Sequence, residues 1–429
     1  MSWKVCLIFS LLFISCRCGE PLDCGHKEDA KTTMMKLKLF LLCGYDKYLR
    51  PVEYHTNKTS VGIIVAPRII DFDDVTSTLR VKTWLSLNWK DSHLTWDKLL
   101  YDGIDQFTLD SSFIWVPDLS VYNAKDETDT SLDQQVSPVM IHHHGEVYAF
   151  MSPVLAGHCV PNWSNWPYDV HQCTLTLGSK RYLGSTVDFT FLNKEGLWLK
   201  YLLPNNEWEL IKTNTTRNET ALGPKNETDS LFLVSLNYDF TLRRHASVYV
   251  ATYLIPGLVM VMMSLALLWI PPNRSGRMAI LCTLVFLQSI SLQYLSYKIP
   301  ANGDTTPYLV CFFRDCLFLT GLLVIQTIVN RRLTTCTSNP SYLQSTFRFV
   351  ASNKYLQVLL VNDLDPKNAA KLMDTGNDEG STLVAADENV QQWQMFVNII
   401  DRVCFVLLVP IYLLLSISLM PANYSFTKN

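Results

Sequence analysis

The chain has 429 residues, of which 48% are apolar and 17% are charged, and its formal net charge at pH 7 is −3. It is too long for one ordinary domain, and its apolar content is above the average for soluble proteins. This net charge indicates nothing about partners, and the sequence shows no basic face for nucleic acid, so we expect no nucleic-acid partner.

The N-terminal 19 residues predict a secretory signal peptide. Lys4 precedes an apolar run over residues 5–14, and small and Cys residues follow up to about Gly19. Secretion permits disulfides, and four cysteines allow three pairings: Cys24, Cys43, Cys159 and Cys173. Six glycosylation sequons lie in segments predicted to be extracellular: Asn57, Asn162, Asn214, Asn218, Asn226 and Asn423.

The extracellular part is predicted to cover residues 20–245. A short amphipathic helix is expected within residues 27–49, broken before Pro51. Short β-rich runs then alternate with turns from Val61 to about Arg244, which is typical of an antiparallel sandwich. Trp89 and Trp115 have the apolar bulk that an inter-sheet core requires.

Four later runs are long and apolar enough to cross a membrane: residues 246–270, 278–297, 307–329 and 403–420. We therefore predict helices one to three within 246–330, a polar cytoplasmic loop over 331–392, a fourth helix within 393–420 and a tail over 421–429. Bases in the short loops, Arg274, Arg277 and Arg331-Arg332, indicate that both termini are extracellular.

Cys159 and Cys173 bracket thirteen residues, with Trp166-Pro167-Tyr168-Asp169 in the middle. This pattern resembles the signature of the Cys-loop family of pentameric ligand-gated ion channels. Leu49-Arg50-Pro51-Val52 and residues 114–118 are similar to nicotinic acetylcholine receptor subunits. With the four membrane runs, the resemblance covers nearly the whole mature chain, which is divergent at several sites.

The resemblance implies an extracellular β-sandwich followed by a four-helix transmembrane bundle. It implies a subunit of a neurotransmitter-gated channel in the plasma membrane, at a postsynaptic site. Its partners are then other subunits in a pentamer, membrane lipid and a small-molecule neurotransmitter. The favoured disulfides are Cys159–Cys173 and Cys24–Cys43, the second against free or differently paired thiols.

The second membrane run is the pore candidate, because it carries hydroxyl and amide side chains that gain nothing from facing lipid. A 3.6-residue period predicts a pore-lining stripe of Ala279, Thr283, Phe286, Ile290 and Gln293. A stripe shifted by one residue at its intracellular end, through Cys282 and Ser289, is the alternative. Thr283 would form a polar neck, and Phe286 with Ile290 a hydrophobic gate.

The sign of the permeant ion is left open by the sequence. Cation-selective relatives have a Glu directly before the base that opens this helix, whereas this chain has Ser275-Gly276-Arg277. This chain therefore contributes no carboxylate to a charged ring at the pore neck. In a mixed pentamer, neighbouring subunits would supply those carboxylates.

The ligand site is only partly similar to that of the nicotinic subunits, which hold a quaternary ammonium in an aromatic cage. Tyr122 matches the first aromatic of the principal face, and Trp84 matches the tryptophan of the complementary face. Lys180 stands where the family has a Trp, with Arg181 and Tyr182 beside it. The hairpin that caps the ligand site in the family corresponds to about Glu207–Leu236. It has no adjacent Cys pair and bears three sequons instead.

The resemblance also assigns coupling between the ligand domain and the pore. The expected contacts involve Asp74, the loop tip Trp166, Pro167, Tyr168 and Asp169, and Arg243 or Arg244 before the first span. The tip is expected to rest against a linker over residues 299–306.

Three classes of function compete. The favoured one is a nicotinic-like subunit that works in a heteromer, since its own principal agonist face is incomplete. The alternatives are a non-conducting accessory subunit of the same fold and a channel for a non-cholinergic, anionic ligand. No catalytic or cofactor motif is present, and the consecutive His142, His143 and His144 are poorly spaced for one metal ion, so we expect no enzyme, cofactor or metal site.

Overall fold

The computed structural model describes residues 31–125, 132, 138–222, 231–299, 306–336, 349–350 and 382–419. The predicted signal peptide, Cys24, Asn226, Asn423, most of the predicted cytoplasmic loop and the C-terminal tail lie outside these residues.

The N-terminal helix α1 (Thr33–Leu42) is shorter than the sequence suggests. Thr32 caps it by accepting a hydrogen bond from the Met35 amide at 3.2 Å. The helix ends well before Pro51, because Gly44 has a φ of 80°, a left-handed conformation that commonly terminates helices.

Eleven strands follow in the described part of the chain: β1 (Thr59–Asp73), β2 (Thr78–Thr95), β3 (Gln106–Asp110), β4 (Ser120–Val121), β5 (Pro138–His142), β6 (His144–Met151), β7 (Val154–His158), β8 (Val170–Gly178), β9 (Val187–Phe191), β10 (Trp208–Ala221) and β11 (Phe232–Arg244). One sheet has the order β3-β5-β6-β2-β1-β9, with β7 also paired to β2, and the other has the order β10-β11-β8-β4. The predicted antiparallel sandwich is confirmed, with one parallel pair between β1 and β9.

The two sheets enclose one apolar core. Side chains of β2 alternate between buried and exposed, so Leu85, Leu87 and Trp89 point inward. Trp89 and Trp115 are 1% and 2% exposed and meet edge to face at a ring distance of 6.1 Å, as their bulk predicts. Trp84 is 45% exposed, which leaves its indole on the outer surface of the sheet.

A disulfide joins Cys159 to Cys173. The loop that they bracket lies at the end of the sandwich from which β11 leads into the helices, with Trp166 buried and Pro167 in the cis form. Cys43 is also disulfide-bonded, but its predicted partner Cys24 lies outside the described residues, so that pairing stays a prediction.

Four helices are long and apolar enough to span a membrane: α2 (Ser247–Trp269), α3 (Ser275–Lys298), α4 (Tyr308–Leu333) and α5 (Thr382–Leu419, apolar from Gln392). In α2, Pro256 has no N–H for the preceding turn, and residues Val250–Leu254 form a π-helical segment just before it. Helix α5 begins inside the segment predicted to be an irregular cytoplasmic loop, so the helical structure extends further toward the N-terminus than the apolar run.

We expect Tyr45→Phe to destabilise the sandwich. The Tyr45 hydroxyl donates to Asp91 at 2.7 Å and accepts the Trp115 amide at 3.1 Å, and Asp91 is fully buried. Loss of the hydroxyl leaves two buried groups without this partner, at a cost of about 1.5–3 kcal/mol. Thermal unfolding of the purified chain measures the loss. Tyr48→Phe, at a side chain that is 80% exposed, is the matched control and should leave the midpoint unchanged.

Candidate functional site

A buried guanidinium joins the sandwich to the first membrane helix. Arg244, the last residue of β11, is 3% exposed, and its nitrogens donate to three carboxylates. The distances are 2.9 Å to Asp169, 2.8 Å to Asp74 and 2.7 Å to Glu207. The Arg244 guanidinium carbon also lies 4.2 Å from the centroid of the Trp208 ring. These contacts hold the β1–β2 turn, the disulfide loop and the start of β10 around one cation.

His171 completes this cluster from inside. Its Nε2 lies 2.6 Å from Asp169 Oδ2, and both side chains are fully buried. The imidazole stacks on Phe72 at 4.9 Å and meets Trp163 and Trp208 at 4.8 and 5.3 Å. Its Nδ1 has no hydrogen-bond partner among the described residues. The carboxylate of Asp169 is thus held between an imidazole and a guanidinium.

The environment moves the pKa values of two carboxyl groups in opposite directions. Burial alone raises the pKa of Asp169, but the hydrogen bond from His171 and the charge of Arg244 outweigh it and hold that pKa below its ordinary value. Burial dominates at Asp74 and raises its pKa, although Arg244 opposes the shift. Asp169 is therefore the principal counter-ion of Arg244.

Aromatic rings continue from the disulfide loop to the second membrane helix. Trp166, fully buried, contacts Tyr249 and Tyr253 of α2 at ring distances of 5.1 and 5.5 Å. Tyr253 stacks against Tyr294 of α3 at 6.1 Å. The Tyr308 amide at the start of α4 donates to the carbonyl of Ser164 in the loop at 3.0 Å. The loop therefore contacts α2 and α4 directly, and through Tyr253 it leads to α3.

The structure brings most of the predicted coupling residues together. Asp74, Asp169 and Arg244 form the cluster, and Trp166 and Pro167 are buried beside it while Tyr168 is half-buried. Arg243 instead pairs with Glu209 at 2.6 Å on the exposed side of β11. The middle of the linker expected to meet the loop tip lies outside the described residues, and the observed contact is to Tyr308.

Sequence reasoning missed four members of this site. They are Glu207, Tyr249, Tyr253 and His171, which is the hydrogen-bond partner of Asp169. Alternation along β8 could have shown that His171 lies on the same inward side as Asp169 two residues earlier. Glu207 and the two tyrosines gave no such signal, because they meet the loop only through tertiary packing.

The predicted ligand residues lie on two different sheets. Tyr122 follows β4, and its hydroxyl donates to the Ser179 carbonyl at 2.6 Å. Lys180 has an exposed side chain, and its amide donates to the buried Asp118 at 2.9 Å. The Tyr182 hydroxyl accepts the Trp115 indole N–H at 3.3 Å. Trp84 lies on the seven-stranded sheet, so this subunit does not gather the four side chains into one pocket.

The described sequons are open to solvent. Asn57, Asn162, Asn214 and Asn218 are all exposed, the last two on β10. Asn162 accepts the Ser164 amide at 3.0 Å, next to the carbonyl that contacts Tyr308. Attachment of glycans at these positions stays a prediction.

Helix α3 presents two distinct faces within this subunit. Its buried side chains pack inward: Arg277, Leu281, Leu284, Gln288 and Leu295. All the side chains of the predicted pore stripe are exposed on the opposite side of a 3.6-residue wheel: Ala279, Thr283, Phe286, Ile290 and Gln293. The shifted stripe through Cys282 and Ser289 is also exposed but lies nearer the edge of this face. The exposed face is therefore centred on the first stripe, and the lining of a pore by either stripe stays a prediction.

The ends of the helices that lie away from the sandwich are joined by a second buried ion pair. Arg277 of α3 donates to both oxygens of Asp401 on α5 at 2.5 and 3.0 Å. Gln326 and Asn330 of α4 donate to the same carboxylate at 3.0 and 2.8 Å. Arg277 is 1% exposed, so its charge is directed into the subunit and away from the exposed face of α3.

Comparison with known proteins identifies this architecture. Residues 35–246 match the neurotransmitter-gated ion-channel ligand binding domain family. This segment therefore has the ligand-binding domain of neurotransmitter-gated channels, and the chain as a whole is similar to the Cys-loop family of pentameric ligand-gated channels. This is a family of channels rather than enzymes, and with four membrane-capable helices it indicates a plasma-membrane protein whose sandwich is extracellular.

Curated relatives are similar at low identity. Human 5-hydroxytryptamine receptor 3B is 25% identical over 313 residues, which cover 72% of this chain and 68% of the relative. Human neuronal acetylcholine receptor subunit alpha-9 is 27% identical over 369 residues, 85% of this chain and 74% of the relative. Acetylcholine receptor subunit alpha-type acr-16 of Caenorhabditis briggsae is 26% identical over 317 residues, 72% and 62%. The match to acr-16 spans less than two thirds of the relative, as do the matches to 5-hydroxytryptamine receptor 3A of Mus musculus (62%) and of Rattus norvegicus (60%).

We expect Asp169→Asn to destabilise the extracellular domain by about 3–5 kcal/mol, the cost of leaving a buried charge without its partner. Because the folded pKa of Asp169 is lowered, its contribution is complete above its unfolded pKa of about 3.9 and is lost as pH falls through the lowered value. The midpoint difference from the wild-type chain should therefore be constant between pH 5 and 8 and shrink in stronger acid.

Asp74→Asn is the matched control for Asp169→Asn. The folded pKa of Asp74 is raised, so its ionised form opposes folding as pH rises above its unfolded value, and its amide can still accept from Arg244. A smaller loss is expected from this variant. Equal losses for the two variants would contradict the assignment of Asp169 as the principal counter-ion.

Proposed function

We propose that this chain is a subunit of a neurotransmitter-gated pentameric ion channel that works in a heteromer. The observation that carries the channel role is the continuous contact from the Arg244 cluster, through Trp166 and Tyr253, to Tyr294 of the pore helix. A movement of the disulfide loop relative to the membrane helices changes the contacts of α2 and α3, which is the bistable interface that gating requires.

The heteromer follows from the state of the principal agonist face. The Tyr122 hydroxyl is engaged with the backbone of Ser179, and Lys180 presents an exposed ammonium at the position of the family tryptophan. A cationic transmitter is repelled there and finds no indole to hold it. A neighbouring subunit of another kind must then provide the principal face, and this chain provides the complementary one.

The pore neck supports the same arrangement. Ser275 and Gly276 carry no charge, and Arg277 is held inside the bundle by Asp401, so these three positions add neither a carboxylate nor a free base at the start of α3. In a mixed pentamer the charges that select the permeant ion come from the other subunits.

The same proposal includes the topology. The chain lies at the postsynaptic plasma membrane with both termini outside, residues 20–245 form the ligand domain and residues 331–392 the cytoplasmic loop. Lipid surrounds the bundle. A non-conducting accessory role is the second candidate, favoured by the neutral pore neck of this chain.

Expression of the chain alone tests the incomplete agonist face. We expect no current in response to acetylcholine, because Lys180 faces solvent where a cation would bind. Surface labelling verifies that the chain reaches the membrane in the same cells. A robust inward current from the chain alone would contradict the proposal.

Cysteine accessibility separates a conducting subunit from an accessory one. In a Cys282→Ala background co-expressed with conducting partners, Thr283→Cys should make the current sensitive to a charged, water-soluble thiol reagent. Leu284→Cys, at a side chain that is 5% exposed and faces the bundle, is the matched control and should remain insensitive. If neither variant alters the current although the chain is present in the receptor, it does not line the pore.

A further inference from the structure

The exposed indole of Trp84 already has a cation on its face. The guanidinium carbon of Arg68 lies 4.2 Å from the Trp84 ring centroid. Arginine over tryptophan at this separation is a favourable cation–π contact. The ring that the family resemblance assigns to the ammonium of a transmitter is therefore occupied by a base of the same chain.

A strand irregularity places Arg68 there. Ala66 pairs with Trp84 across β1 and β2, and the register shifts between Pro67 and Ile69, so Arg68 has no direct partner on β2. The Arg68 carbonyl accepts the Leu203 amide at 2.9 Å, which holds this backbone. Bulges of this kind re-aim a side chain, here over the neighbouring indole.

Within the described part of the chain, the donor edge of this guanidinium has no hydrogen-bond or ion-pair partner. Arg244 and Arg277 are each bound to carboxylates, whereas no carboxylate among the described residues lies within ion-pair distance of Arg68. A guanidinium stacked on a ring retains its planar fork of N–H donors, and that fork matches a carboxylate in a bidentate arrangement.

The surroundings of Trp84 are aromatic and basic. Tyr201 lies 5.3 Å from the Trp84 ring, and Lys200 lies 5.9 Å from the Tyr201 ring. Lys82 is exposed two residues before Trp84, on the same face of β2. The exposed Asp71 is further along the sheet, opposite Arg80. The local field therefore favours an anion over a cation.

We propose that the Trp84 face of this chain binds the carboxylate group of a small organic ligand through Arg68 and excludes quaternary ammonium ligands. This inference rests on the proposed function, since it treats Trp84 as the complementary side of a transmitter site. It adds the chemical class of the ligand and makes Arg68 the specificity-determining residue. A second cation at the same ring is repelled by Arg68, and the π face of Trp84 is already covered by the guanidinium.

Fluorine NMR of the full chain, labelled with 5-fluorotryptophan and held in lipid nanodiscs, tests the proposal. The Trp84 resonance is identified by its loss in Trp84→Phe. Sodium acetate and tetramethylammonium chloride are titrated at matched ionic strength, with sodium chloride as the reference. In the wild-type chain, acetate should shift the Trp84 resonance saturably and tetramethylammonium should not.

Arg68→Gln should abolish the acetate response and allow tetramethylammonium to shift the Trp84 resonance, because the substitution removes the cation that covers the ring. Arg80→Gln removes an exposed base from the same face of β2, further from Trp84, and should behave like wild type. An acetate response that survives Arg68→Gln, or equal tetramethylammonium responses in wild type and Arg68→Gln, would overturn the proposal.

This readout does not depend on current. If the acetate response requires Arg68 but no subunit combination conducts, the channel function fails and the ligand class stands. If co-expressed channels conduct and Arg68→Gln changes neither titration, the ligand class fails alone.

Discussion

The burial of one guanidinium constrains the whole junction between the sandwich and the membrane helices. A buried cation is tolerated only with partners, and Arg244 takes three carboxylates from segments far apart in the chain. The three segments are the β1–β2 turn, the disulfide loop and the approach to β10. Displacing any of them exposes an unpaired charge, so these segments move together or not at all.

A second buried arginine plays a corresponding role at the other end of the bundle. Arg277 and Asp401 join α3 to α5, and the amides of Gln326 and Asn330 add α4 to the same carboxylate. Helix α3 is thereby fixed to its own subunit at the end away from the sandwich, while its other half meets α2 through Tyr294. In the proposed channel, motion that begins in the sandwich would reach α3 at the end that no buried ion pair among the described residues holds.

Arg244, Arg277 and Arg68 differ in whether their N–H donors are paired with carboxylates among the described residues. Arg244 and Arg277 donate to carboxylates of their own subunit, so their role is to position the segments that carry those carboxylates. Arg68 is half-buried over an exposed indole with its donor edge open, so it can recognise a ligand. The family resemblance treats Trp84 as a retained aromatic, yet the residue that we propose decides what this aromatic can bind lies on the neighbouring strand.

The sequence by itself determined the family resemblance, the sandwich, the four membrane-capable helices and most of the residues that meet where the sandwich joins α2. These depend on local signals: the spacing of Cys159 and Cys173, period-2 and period-3.6 patterns, and long uncharged runs. Only the tertiary structure decided that Arg244 rather than Arg243 is buried, that His171 and Glu207 join it, that Tyr182 turns to Trp115 and that Arg68 covers Trp84. Those outcomes depend on strand register and on contacts between distant segments, and a register shift of one residue reverses which side chains face inward.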